Sequence, residues 1–140
     1  MVNEDIYRDL LYQIGNAKEK INACYEKIDE YKYSLNRLKR YKKEVENQKE
    51  EFYLIIKDDK NNSKKKDCWK GASFDKFNNI MDDVLEEDYK YYNNCLDGIL
   101  DSINDEMTRL ENEILSKLGI IGKLSSWVNS LSNEIENFFN

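Results

Sequence analysis

Apolar and aromatic side chains recur every seven positions through the first third of the chain, and this repeat limits the fold more than any other feature. Leu10, Ala17, Cys24, Tyr31, Leu38, Val45 and Phe52 form one row. Tyr7, Ile14, Ile21, Ile28 and Leu35 form a second row, which lapses to Lys42 and Lys49. The rows are offset by three and four, so they share one stripe of an α-helix, and such a stripe needs a facing helix to cover it. The 140 residues include no Pro, so no ring removes a backbone donor or clashes with the preceding turn. The pattern predicts a first helix over about 4–57, on the order of 75 Å long at ~1.5 Å per residue. Asn3 is placed to cap it, with Glu4 and Asp5 set favourably against the helix dipole.

The repeat stops at Lys57–Asp67, a run with no apolar residue, followed by Cys68-Trp69-Lys70-Gly71-Ala72-Ser73-Phe74. A loop over about 58–73 is expected, its polar run reading either as loop or as a frayed end of the first helix, with Gly71 suited to the turn and Ser73 a good cap for a second helix over about 74–139. Early in that helix Phe74, Phe77, Met81, Val84, Tyr91 and Cys95 make an apolar stripe broken by Asp88. Later the seven-residue register returns as Leu100, Met107, Ile114, Ile121, Val128 and Ile135. A companion row runs through Ile103, Leu110, Leu124, Leu131 and Phe138, with Lys117 as its lapse. Gly119 and Gly122 interrupt the composition and cost about 1 kcal/mol each relative to Ala. A kink at 119–122 is therefore open, but the unbroken heptad phase favours a continuous or gently bent helix.

The fold class that follows is all-α, a single domain formed by a long antiparallel, coiled-coil-like two-helix hairpin with a C-terminal helical extension. Folding back about the loop sets the start of helix one opposite residue ~126, by the rise of ~1.5 Å per residue shared by both helices. Trp127, Val128, Leu131, Ile135, Phe138 and Phe139 would then overhang with nothing of their own chain to cover them. Leu100, Met107, Ile114, Ile121, Leu124, Trp127, Val128, Leu131, Ile135 and Phe138 are accordingly the expected partner-binding residues. Substituting Trp127 and Leu131 by Glu should abolish partner binding while the hairpin stays helical.

Charge and composition exclude several function classes. Residues 1–70 carry 17 Lys/Arg against 14 Asp/Glu, and residues 71–140 carry 5 against 14. The two halves attract if packed side by side, and so acidic a second half disfavours nucleic-acid binding. No apolar run approaches the ~20 residues of a membrane span, and the first residues lack a signal-peptide pattern, so synthesis in the cytoplasm is expected. The chain has no His, and its three Cys form no C-x-x-C, so zinc constellations and His-based general-base chemistry are missing. Cys24 and Cys95 are expected as small core residues, and Cys68 as a loop thiol. Asp82-Asp83 and Glu86-Glu87-Asp88 are expected as a charged helix face, because a calcium loop needs a Gly-turned loop. No cofactor, metal or catalytic residue is expected, and the chain does not read as an enzyme.

The stretch Trp69-Lys70-Gly71-Ala72-Ser73-Phe74-Asp75-Lys76-Phe77, between two amphipathic helices, resembles a known family. These residues, the chain length and the long second helix look like the WxG-type small helical proteins of the type VII (Esx) secretion system. More narrowly, they resemble the YwqH-like partners of LXG polymorphic toxins. The resemblance implies a turn motif of Trp69 and Gly71, with Phe74 and Phe77 as packing partners. It also implies a non-enzymatic adaptor that binds the helical N-terminal domain of a large toxin, together with a second small helical protein, and helps present the toxin for export. Co-export by type VII secretion would follow. The family's Tyr-x-x-x-Asp/Glu secretion motif occurs here only as Tyr25–Asp29, inside helix one, which favours a partner that relies on another protein's signal. A self-assembling coiled-coil scaffold or tether, as a homodimer, is the alternative.

Overall fold

Two α-helices account for the described residues: α1 spans Val2–Lys64 and α2 spans Ala72–Phe139. The computed structural model describes residues 2–64 and 72–139, without the side chains at 2–3, 59–64, 72–74, 77–78 and 81. The chain forms the all-α hairpin, with the two helices packed against each other and no strand among the described residues. It divides into two compact units, one built from Met1–Arg37 and Met107–Asn140, the other from Leu38–Glu106.

The first unit is the better packed. Its buried residues are Leu10, Ala17, Cys24, Ile28 and Leu35 on α1, with Leu110, Ile121 and Leu131 on α2. Cys24, Ile28 and Ile121 form a cluster flanked by the half-buried Ile21 and Ile114. Near the chain ends, the Tyr7 ring meets Phe139 edge-on at 5.5 Å. Contacts of residue 24 with 121 and of 7 with 139 make the helices antiparallel in this unit.

The second unit is thinner, with Leu96 as the one buried hydrophobic among its described residues. Phe52 stacks on Tyr89 at 5.8 Å and tilts against Tyr92 at 4.6 Å. Such aromatic pairs contribute about 0.5–1.5 kcal/mol beyond their buried area. Polar groups enter the seam here. Asp82 and Asn93 are half-buried, and each holds one buried side-chain oxygen without a hydrogen-bonding partner. With Leu96 as its one buried hydrophobic against eight in the first unit, this is the more thinly packed half of the hairpin among the described residues.

Four expectations need correction. The polar run at 57–64 is helical, because Lys, Asp and Asn lack an apolar stripe yet still form helix when nothing breaks it. α2 likewise opens at Ala72, one residue before the expected Ser73 cap. The longer α1 moves the fold-back point, so Tyr7 reaches Phe139 and the C-terminal overhang disappears. Finally, Val84, Tyr91 and Cys95 are exposed, not part of the interhelical seam. α2 instead turns Asp82, Leu85, Tyr89, Asn93, Leu96 and Leu100 inward, which extends the later heptad register backwards without a break. α2 also runs through Gly119 and Gly122 as one helix.

Candidate partner-binding surface

The expected partner-binding residues are mostly spent on the hairpin itself. Ile121 and Leu131 are buried, and Leu100, Met107, Ile114, Leu124, Val128 and Ile135 are half-buried along the same register. Of the ten, only Trp127 and Phe138 stand exposed, Trp127 at 52%. Trp127 borders a shallow groove with Gln13, Asn16, Ala17, Lys20 and Leu124. Trp69 and Gly71 lie outside the described residues, and Phe74 and Phe77 fall in the first turns of α2 with their side chains outside them.

Apolar groups are nevertheless exposed in quantity, and their placement is uneven. In the second unit Ile80, Val84, Tyr91 and Ile99 of α2 are all about half exposed or more, with Tyr91 at 73%. Val84 and Tyr91 are spaced seven apart on the side of α2 turned away from the Asp82–Leu96 seam. A second, shallower feature lies beside them, a groove floored by Leu38 and Ile103 and walled by Cys95, Gly98, Ile99 and Ser102. In the first unit Leu115, Leu118, Ile120, Trp127 and Phe139 are exposed; Ile120 and Trp127 are seven apart, but Trp127 lies beside the seam, against Ala17 and Leu124, and not on the face opposite it.

Sequence reasoning found the Val84–Tyr91–Cys95 stripe and assigned it to the wrong face. The signal that could have corrected this is in the register. Asp82, Tyr89 and Leu96 lie at seven-residue steps before Ile103 and Leu110, so one seam already had its occupants and the stripe had to face outward.

A cross-helix ion pair in the second unit joins Lys49 to Asp97 at 2.5 Å. Asp97 also accepts a long, 3.5 Å hydrogen bond from the Asn93 amide. The Asp97 hydrogen bond, helped by its charge and that of Tyr89, raises the Lys49 ammonium above its usual 10.5, against a smaller opposing effect of burial. Both partners are more than a third exposed, so the pair adds little to stability and mainly sets the helix register. A raised ammonium pKa contributes stability fully below 10.5 and loses it as pH rises through the folded-state value. In denaturant titrations the difference between the parent chain and Asp97→Asn should therefore stay constant from neutral pH to about 10 and shrink above it. A difference that instead grew with pH would disprove the assignment.

None of the described residues form a group of three or more His, Cys, Asp or Glu that could hold a metal. No helix of the described residues is long and apolar enough to cross a membrane. Comparison with known protein families, with curated proteins and with solved structures found no match to this chain.

Proposed function

We propose that this chain is a non-enzymatic adaptor that binds helices of a partner protein. In the finer form suggested by the W-x-G resemblance, the partner is the helical N-terminal region of a type VII secreted LXG-type toxin, which the chain helps present for export. The observation that carries the reading is the set of apolar side chains on α2 that the hairpin leaves uncovered, Val84 and Tyr91 above all. Helical proteins commonly recognise one another by laying such a stripe into a partner's groove. Specificity comes from the flanking charges, the second half of the chain being the acidic side.

A scaffold that assembles with itself is the second reading, and one observation favours it. Residues 107–140 carry four Asp/Glu against three Lys/Arg, so like-charge repulsion there is small, and Leu115, Leu118 and Trp127 are exposed. Co-expression with the helical N-terminal region of the protein encoded next to this one separates the two. A stable heteromeric complex, measured by its mass in solution, is the expected result. A discrete homodimer with no heteromer would move the conclusion to the scaffold.

A further inference from the structure

We infer that the outward stripe of α2 centred on Val84 and Tyr91 docks an amphipathic helix whose own apolar stripe is flanked by Lys and Arg. The inference rests on the adaptor reading and specifies its surface and the chemistry of its partner. Three features of the structure lead to it.

The first is contrast between outward faces. On α1 of the same unit, the outward positions Arg40, Lys43, Asn47 and Glu50 are polar and exposed, as a solvated helix requires, and exposed apolar groups gather there only at Tyr53, Leu54 and Ile55. Farther along α2, the positions that continue the Val84–Tyr91 row are Gly98, Asp105, Asn112, Gly119, Ser126 and Asn133. Large apolar side chains occupy this outward row only where the stripe lies. A helix face that is polar elsewhere along its row and apolar over a few turns marks a site of contact.

The second is charge. Between residues 80 and 101 α2 carries seven Asp/Glu and a single Lys, Lys90. Asp83, Glu87 and Asp88 border the stripe, and all three are exposed. Two copies meeting through this face would set these carboxylates against one another, which charge patterning at helix interfaces penalises. A basic-flanked helix meets complementary charge instead, so the stripe selects a different chain over a second copy of its own.

The third is the position of Asp88. It interrupts the apolar row between Val84 and Cys95, where a single charged residue fixes the alignment of the incoming helix by pairing with one Lys or Arg.

The test uses the full chain and two synthetic amphipathic helical peptides that share one Leu/Ile stripe, one flanked by Lys and the other by Glu. Fluorescence anisotropy should show the Lys-flanked peptide binding about tenfold or more tighter at low salt. The Val84→Glu/Tyr91→Glu double variant should lose at least about tenfold of that affinity, whereas Leu115→Glu, on the other unit, should lose none. Asp88→Lys, a surface exchange that leaves packing alone, should narrow or reverse the preference between the peptides. Equal binding of the two peptides, or equal sensitivity to Leu115→Glu, would overturn the inference. So would self-association of the parent chain that the double variant abolishes. If the co-expressed heteromer forms but tolerates Val84→Glu/Tyr91→Glu, this surface is wrong and the adaptor reading stands. If no heteromer forms while the peptide results hold, the reverse is true.

Discussion

The Leu131→Glu variant is expected to lose about 3 kcal/mol or more of stability, the scale of burying a carboxylate without a partner. Leu131 is only 3% exposed, and the seam around it is one layer thick, so no second layer can take up the charge. The chain can relieve the cost only by fraying the end of α2, which forfeits the Tyr7–Phe139 contact as well. For a chain of this size that amounts to a fall in melting temperature of about 10 °C. Trp127→Glu, four residues earlier and half exposed, should change the melting point by little, since surface substitutions stay within about 0.5 kcal/mol. Thermal melts followed by circular dichroism would separate the two. A Leu131→Glu protein that melts with its parent would show that this leucine is not on the seam. The burial of Leu131 runs against the sequence expectation that both substitutions spare the hairpin.

Converting both Gly119 and Gly122 to Ala should raise stability by about 1–2 kcal/mol in total, through helix propensity and a less flexible unfolded chain. Both glycines lie inside α2, and a Cβ added at either meets nothing within 4 Å. Neither glycine therefore relieves a close approach, and the substitution has no steric cost to set against the gain. The expected rise in melting temperature is about 2–8 °C. A lower melting point would mean that α2 needs to bend at these residues, reopening the kink that the heptad phase argued against.

The seam of α1 is fully legible in the amino-acid sequence. All fourteen positions of its two rows, including the lapses Lys42 and Lys49, are buried or half-buried. A strict repeat with no Pro leaves little room for another outcome. The later part of α2 is legible for the same reason. The misreadings have two physical causes. Hydrophobic periodicity reports which face is covered and not where a helix ends, so the apolar-free run at 57–64 looks like a loop although its residues continue α1. In the early part of α2 the inward row carries Asp82 and Asn93 while the outward row carries Val84 and Tyr91. An apolar stripe meant for solvent or for a partner then outshines the polar seam, and periodicity alone picks the wrong side. The expected partner-binding residues fail with the loop, since a loop placed too early pairs the helices about two heptads out of their observed alignment.

The bridge between Lys49 and Asp97 has a consequence for how the hairpin finds its alignment while folding. Repeats of seven invite slippage, because a helix displaced by one heptad, about 10.5 Å along its axis, still offers an apolar row to its neighbour. Here the row that contains Asp97 also contains Lys90 and Asn104, one heptad to either side. A slip in one direction would set Lys49 against another ammonium, and a slip in the other would leave it facing a neutral amide. The pair is thus a latch that a slip of one heptad opens in either direction, and the repeats of this thin unit gain an error check against that slip at no cost in buried charge.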